Sequence, residues 1–249
     1  VITKDAAENG FYEQAIKISR IALMVVTSLG TVMVPRIGHH FEKHEDEIIR
    51  KYMYRSYRFV GLLGIPMCLG LLAVSSNFVP WFFGKGFEKV IPLIGILGFL
   101  IIAIGVNNVT GMQYLIPTKR QNIFTKTVLI GAGVNFIANI CLIPFLGAIG
   151  AAVASVLAET VIAVVQLVIV RNELSSLLII KESIKYIISG LIMFIVLYIF
   201  GKILVPSIAN TLILVFCGVL VYLILLMILQ DSFFIGYIKQ ITCRLRIQK

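Results

Sequence analysis

Apolar residues fall in long unbroken runs, each closed by a short polar stretch. Seven can be marked: Phe11–Val34, Phe59–Phe83, Val90–Pro117, Thr127–Gly147, Ala148–Val170, Tyr186–Val205 and Thr211–Leu229. None alternates with the period of two that a half-buried strand requires, and each is close to the ~20 residues that carry a helix across a ~30 Å hydrocarbon core. In lipid a helix satisfies its own backbone polar groups, whereas an open strand leaves them bare. The pattern predicts an all-α, polytopic membrane protein: an outer segment over 1–10, a transmembrane bundle over 11–230 and a basic cytoplasmic tail over 231–249.

Composition agrees. Of 249 residues, 59% are hydrophobic and 14% charged, and mean hydropathy is +0.99; soluble chains run nearer 45–50% apolar and about 25% charged. Soluble enzyme folds are excluded on this ground. The net charge of +10 would suit nucleic acid, but the cations stand mainly between the apolar runs, as membrane orientation requires. Sixteen fall on one side, in the loops over 36–58, 119–126, 171–185 and 239–249, against Lys4, Lys85, Lys89 and Lys202 on the other. The basic side is expected to be cytoplasmic, with the chain start outside and the C-terminus inside. The stretch Phe233–Lys249 reads as an interfacial helix on an anionic leaflet.

Cys68, Cys141 and Cys217 lie in apolar runs and read as small core residues; with Cys243 they form no metal or disulfide spacing. The polar segment Gly38–Tyr57 carries His39, His40 and His44 among four acids. His40 and His44 share a helical face, so a metal site is conceivable, but a solvated helix of mixed charge is the preferred reading. No metal or cofactor is expected. The chain begins with Val1 and shows no signal-peptide pattern, so a fragment or processed chain is expected.

Ionisable groups inside spans cost about 2.5–3.5 kcal/mol at a helix centre, which makes each a functional question. Nine residues beyond Phe11, Arg20 is expected roughly 13 Å into the bilayer, with Lys17 one turn above it. Glu13 stands four residues before Lys17, the favourable order for a helix ion pair. A snorkelling pair therefore suits Lys17 better than Arg20, which either snorkels too or lines a wet cavity and contacts an anionic substrate through its planar fork. Glu159, eleven residues after Ala148, is again near mid-membrane. It reads as a proton or cation coupling site, or as a neutral carboxyl bonded between helices. Gln166 follows on the same face. Asn107, Asn108, Asn135 and Asn139 read as interhelical amides or cavity lining. Small residues at Gly147, Gly150, Ala151, Ala154, Ser155 and Ala158 form a close-packing seam. Pro66, Pro92, Pro117 and Pro144 mark span ends or bends. No nucleophile elbow, phosphate-binding glycine loop, HExxH or catalytic carboxylate pair occurs, so no catalytic residue is assigned.

Three stretches resemble a known family. Gly10-Phe11-Tyr12-Glu13-Gln14-Ala15-Ile16-Lys17-Ile18, with Val34-Pro35-Arg36 closing the span, looks like the eighth helix of Wzx-type polysaccharide flippases. Phe83-Gly84-Lys85-Gly86-Phe87 is similar to that family's outer glycine turn. The longest match runs from Gly131 to Glu159 through Asn135, Asn139, Pro144, Gly147 and Gly150. It resembles the polysaccharide branch of the multidrug/oligosaccharidyl-lipid/polysaccharide exporters.

The resemblance implies a MATE-like transporter of twelve or fourteen helices in two bundles, this chain being the C-terminal one, with the N-terminal bundle as its missing partner. It implies alternating-access movement of undecaprenyl-pyrophosphate-linked oligosaccharide across the bacterial cytoplasmic membrane for surface polysaccharide. Arg20 and Lys17 would bind substrate, and membrane lipids, a polysaccharide polymerase and glycosyltransferases would be partners. A peptidoglycan-precursor flippase, a cation-coupled multidrug exporter and a non-transporting scaffold of a polysaccharide synthesis complex remain as alternatives.

Overall fold

The computed structural model describes residues 6–237. The segment 1–5 and the tail beyond 237, with Cys243 and most of the expected interfacial helix, lie outside the described residues. The rest is helical, with no strand among the described residues. Its helices are α1 (Ala6–Thr27), α2 (Leu29–Glu42), α3 (Asp46–Phe82), α4 (Val90–Asn107), α5 (Gln121–Leu146), α6 (Ala148–Val170), α7 (Ser176–Ile203) and α8 (Ile208–Ile228), and a π-helical segment, Asn108–Leu115, continues α4. Seven of the resulting rods are long and apolar enough to cross a membrane. They coincide with the seven apolar runs.

The boundaries differ in instructive ways. The first rod spans Ala7–Glu42 but is interrupted at Ser28, where hydroxyls bond back to backbone carbonyls: Ser28 Oγ donates to Val25 O at 2.7 Å and Thr31 Oγ1 to Ser28 O at 2.8 Å. Such back-bonding competes with the helix ladder. The polar segment Gly38–Tyr57 is not a single solvated helix. It comprises the end of α2, a turn, and the start of a 37-residue α3, whose Ile49, Met53 and Tyr57 are buried. His44 sits in the turn with φ +57°, so His40 and His44 do not share a helical face. His40 Nδ1 bonds the Glu45 carboxylate instead and holds that carboxyl below the usual range. Among the described residues no group of three or more His, Cys, Asp or Glu could hold a metal.

Pro66 and Pro144 lie inside α3 and α5, as do Pro35 in α2 and Pro80 in α3; Pro92 is in the first turn of α4 and Pro117 follows the π segment. Gly84 and Gly86, at φ +85° and +93°, supply the left-handed geometry of the outer turn, with Phe83 and Phe87 stacked across it at 5.5 Å. Cys68 is buried, but Cys141 is exposed on α5 and Cys217 intermediate, which corrects the expectation of a core position for Cys141.

Packing is uneven. α3 and α4 form the centre, flanked by α7 and α8 on one side and by α1 and α6 on the other. α5 rests chiefly on α6, where a Cβ on Gly131 would lie 2.3 Å from Ile162 and one on Gly150 2.6 Å from the Leu142 carbonyl. Only glycine permits that approach. The outer face of α5 presents Leu129, Phe136, Ile137 and Phe145, too large an apolar face for water and suited to lipid.

Candidate functional site

Four helices enclose a polar cavity of about 410 Å³, within the roughly 300–1,000 Å³ of small-molecule sites. α1 contributes Tyr12, Ser19 and Arg20; α4 contributes Leu100 and Ile104; α5 contributes Val128, Gly131 and Asn135; α6 contributes Ser155, Ala158 and Glu159. On α1 the lining positions 12, 16, 19, 20 and 23 follow the spacing of one helix face. Lys17 falls off that stripe. It does not line the cavity, and its ammonium pairs with Glu13 at 2.8 Å, both side chains more than half exposed. Arg20 is exposed and makes no ion pair among the described residues.

Glu159 receives a hydrogen bond from Asn107 Nδ2 at 3.1 Å, which couples α6 to the junction of α4 and the π segment. Asn107 Oδ1 is buried without a partner. Asn108 Oδ1 accepts from Gln113 Nε2 at 3.0 Å, and a Cβ on Gly30 would meet that oxygen at 2.9 Å. Asn139 Nδ2 bonds Asn135 Oδ1 at 2.9 Å, a contact one turn apart within α5 rather than between helices. Gln166 does not reach the cavity: fully buried, it donates to Thr127 Oγ1 at 3.0 Å. Thus Arg20, Asn135 and Glu159 meet at the cavity, Asn107 stands behind Glu159, and Lys17 and Gln166 lie elsewhere. Tyr12 and Ser155, bonded across α1 and α6 at 3.1 Å, escaped sequence reasoning; the helical stripe through Arg20 was the signal that would have found Tyr12.

A second cavity, about 710 Å³ and almost wholly apolar, lies on another side of α1 against α3, α7 and α8. Ile18 and Ala22 line it, with Pro66, Met67, Phe78 and Met193. α1 therefore divides a polar chamber from an apolar one.

Charge networks hold the ends of the bundle. The Glu8 carboxylate accepts from Lys89 Nζ at 2.6 Å and from the Ala148 backbone N–H at 3.0 Å. This joins α1, the start of α4 and the N-terminus of α6, where negative charge is favoured. Arg58 donates to Asp231 at 2.8 Å and Glu182 at 2.9 Å, linking α3, α7 and the chain just after α8. Arg120 grips Glu173 with both nitrogens of its fork. That contact holds the Glu173 carboxyl below the usual range, with partial burial opposing it.

The comparisons with known proteins follow the same lines. Residues 20–230 match the family model described as "Lipid II flippase MurJ". The chain is 28% identical over 226 residues to the "Probable low-salt glycan biosynthesis flippase Agl15" of Haloferax volcanii, covering 89% of this chain and 47% of that protein. It is 30% identical over 108 residues to "Lipopolysaccharide biosynthesis protein WzxC" of Escherichia coli K12, covering 43% and 22%. It is 25% identical over 157 residues to the "Probable flippase AglR" of Haloferax volcanii, covering 61% and 32%. The chain spans about half or less of the length of these curated relatives.

Proposed function

The chain belongs to the family described as "Lipid II flippase MurJ", and from that membership we propose that it is the C-terminal bundle of a flippase moving pyrophosphate-linked oligosaccharide lipids across the cytoplasmic membrane. The observation that carries the reading is the placing of Arg20 in a polar, membrane-depth cavity beside Asn135, Ser155 and Glu159. A guanidinium fork matches phosphate oxygens and stays charged where an ammonium would not. It offsets the desolvation of a doubly charged headgroup leaving water. The apolar cavity across α1 suits the other half of such an amphiphile, the prenyl chain. A second bundle, N-terminal to this one, supplies the facing wall, and the two rock about the site as in other repeat-built transporters.

The excess of lysine and arginine around 36–58, 119–126 and 171–185 supports placing those loops in the cytoplasm, with α1 entering from outside. Lys17 is a lesser candidate because Glu13 already satisfies it, and Glu159 stays open to an ion-coupling role. The family description favours one second reading, in which the cargo is a lipid-linked peptidoglycan precursor; the relatives named for glycan and lipopolysaccharide biosynthesis favour surface polysaccharide.

The test is Arg20→Ala in the complete protein. Surface polysaccharide is expected to disappear at unchanged protein level. Normal polysaccharide with interrupted peptidoglycan synthesis supports the second reading, and no change in either removes Arg20 from the mechanism.

A further inference from the structure

Arg20 and Glu159 face the same cavity from α1 and α6. These helices are pinned together where Glu8 accepts the Ala148 N–H. Arg20 lies twelve residues past Glu8 and Glu159 eleven past Ala148, so both stand about 17 Å from that pin at 1.5 Å per residue. Opposite charges at one depth in a cavity would ordinarily pair. Here they do not: among the described residues neither forms an ion pair, and the carboxylate takes its hydrogen bond from Asn107 on the far side. The cavity wall thus offers a cation and an anion as separate features, with the neutral groups of Tyr12, Ser155 and Asn135 beside them.

That arrangement discriminates among cargoes. The guanidinium is matched to phosphate. The carboxylate accepts from hydroxyl, amide or ammonium groups, but a second carboxylate beside it is repelled, and unlike-partner rejection of this kind is a source of specificity. We propose that Glu159 is a specificity-determining residue, admitting lipids whose pyrophosphate-proximal sugar is neutral or amino-bearing and rejecting those carrying a uronic acid there. This rests on the flippase reading and deepens it by naming the class of sugar.

The experiment reconstitutes the complete protein in liposomes with two fluorescent probes, polyprenyl-pyrophosphate-linked N-acetylglucosamine and polyprenyl-pyrophosphate-linked glucuronic acid. Wild type is expected to move the first about tenfold faster, the discrimination of one repulsive contact of about 1.4 kcal/mol. Glu159→Gln is expected to narrow that ratio to about twofold by raising the acidic lipid's rate. Equal wild-type rates overturn the selection, a comparison that needs no variant to fold. Glu159→Gln slowing both lipids alike, with loss of dependence on an imposed ion gradient, also overturns it and assigns the carboxylate to coupling. If neither lipid moves in the wild type, the flippase reading itself fails, and the selection with it.

Discussion

Arg120 and Glu173 meet fork to fork, Nη1 to Oε1 at 2.7 Å and Nη2 to Oε2 at 2.8 Å, and so tie the turn after the π segment to the turn after α6. Tyr114 adds its hydroxyl to the same carboxylate and its ring lies 4.8 Å from the guanidinium carbon. Two loops far apart in sequence are thereby held as one corner of the bundle.

The first prediction follows from that corner. Both side chains are partly exposed, 27% and 41%, so Arg120→Lys, which loses the two-pronged geometry, is expected to cost about 0.5–1 kcal/mol rather than a buried pair's loss. Glu173 has its carboxyl depressed in the folded state. Its stabilisation is therefore complete above the unfolded value of about 4.3 and is lost as pH falls through the folded value. Unfolding in detergent is expected to separate wild type from Glu173→Gln at pH 7, the two converging at about pH 3.

Arg58 makes the opposite case. Its partner Asp231 is 1% exposed and keeps only Tyr186 and the Phe234 N–H once the guanidinium is gone. Arg58→Ala is expected to destabilise by about 3 kcal/mol, the lower end for a broken buried pair because Arg58 retains some solvent contact. Adding Asp231→Asn is expected to recover part of the loss, which a double-mutant cycle from denaturant unfolding measures.

At the α5–α6 seam, a Cβ on Gly150 would stand 2.6 Å from a backbone oxygen that cannot turn aside. Gly150→Val is expected to cost about 1–3 kcal/mol or more by overpacking, read as lost monodisperse protein in size exclusion. Gly133, with open space about it, is expected to accept alanine without loss.

How far the chain could be read in advance depended on the range of the interaction. Hydropathy is a sum over neighbours, so all seven rods were visible, as were the Glu13–Lys17 pair and the glycine turn at 84–86. Arg58 with Asp231 and Glu8 with Ala148 bring together residues far apart in sequence, and nothing local in an arginine at a helix end says which acid it will find. Gln166 was read as facing the way Glu159 does, but seven residues carry it toward Thr127 and away from the cavity. The His40–His44 spacing failed because helix was assumed across a turn.

A further contrast separates two cations one turn apart. Lys17 is already neutralised by Glu13 outside the polar cavity, whereas Arg20 lines it. In the complete protein, Lys17→Met is expected to keep transport within about threefold of wild type while Arg20→Met abolishes it, the full cost falling on the unscreened charge. Surface-polysaccharide immunoblots at matched expression decide between them.

The π segment Asn108–Leu115 carries a consequence of its own. Its backbone closes one residue later than an α-helix does, as in Ile116 N–H to Gly111 O at 3.2 Å, so it holds a surplus residue relative to an ordinary helix. Excising a single amino acid there lets the ladder fall back to the common spacing and swings the remainder of the rod by about 100°. Tyr57 then loses its reach to Thr110, and Arg120 is carried off Glu173. The angular setting of everything downstream is thus indexed by one extra peptide unit.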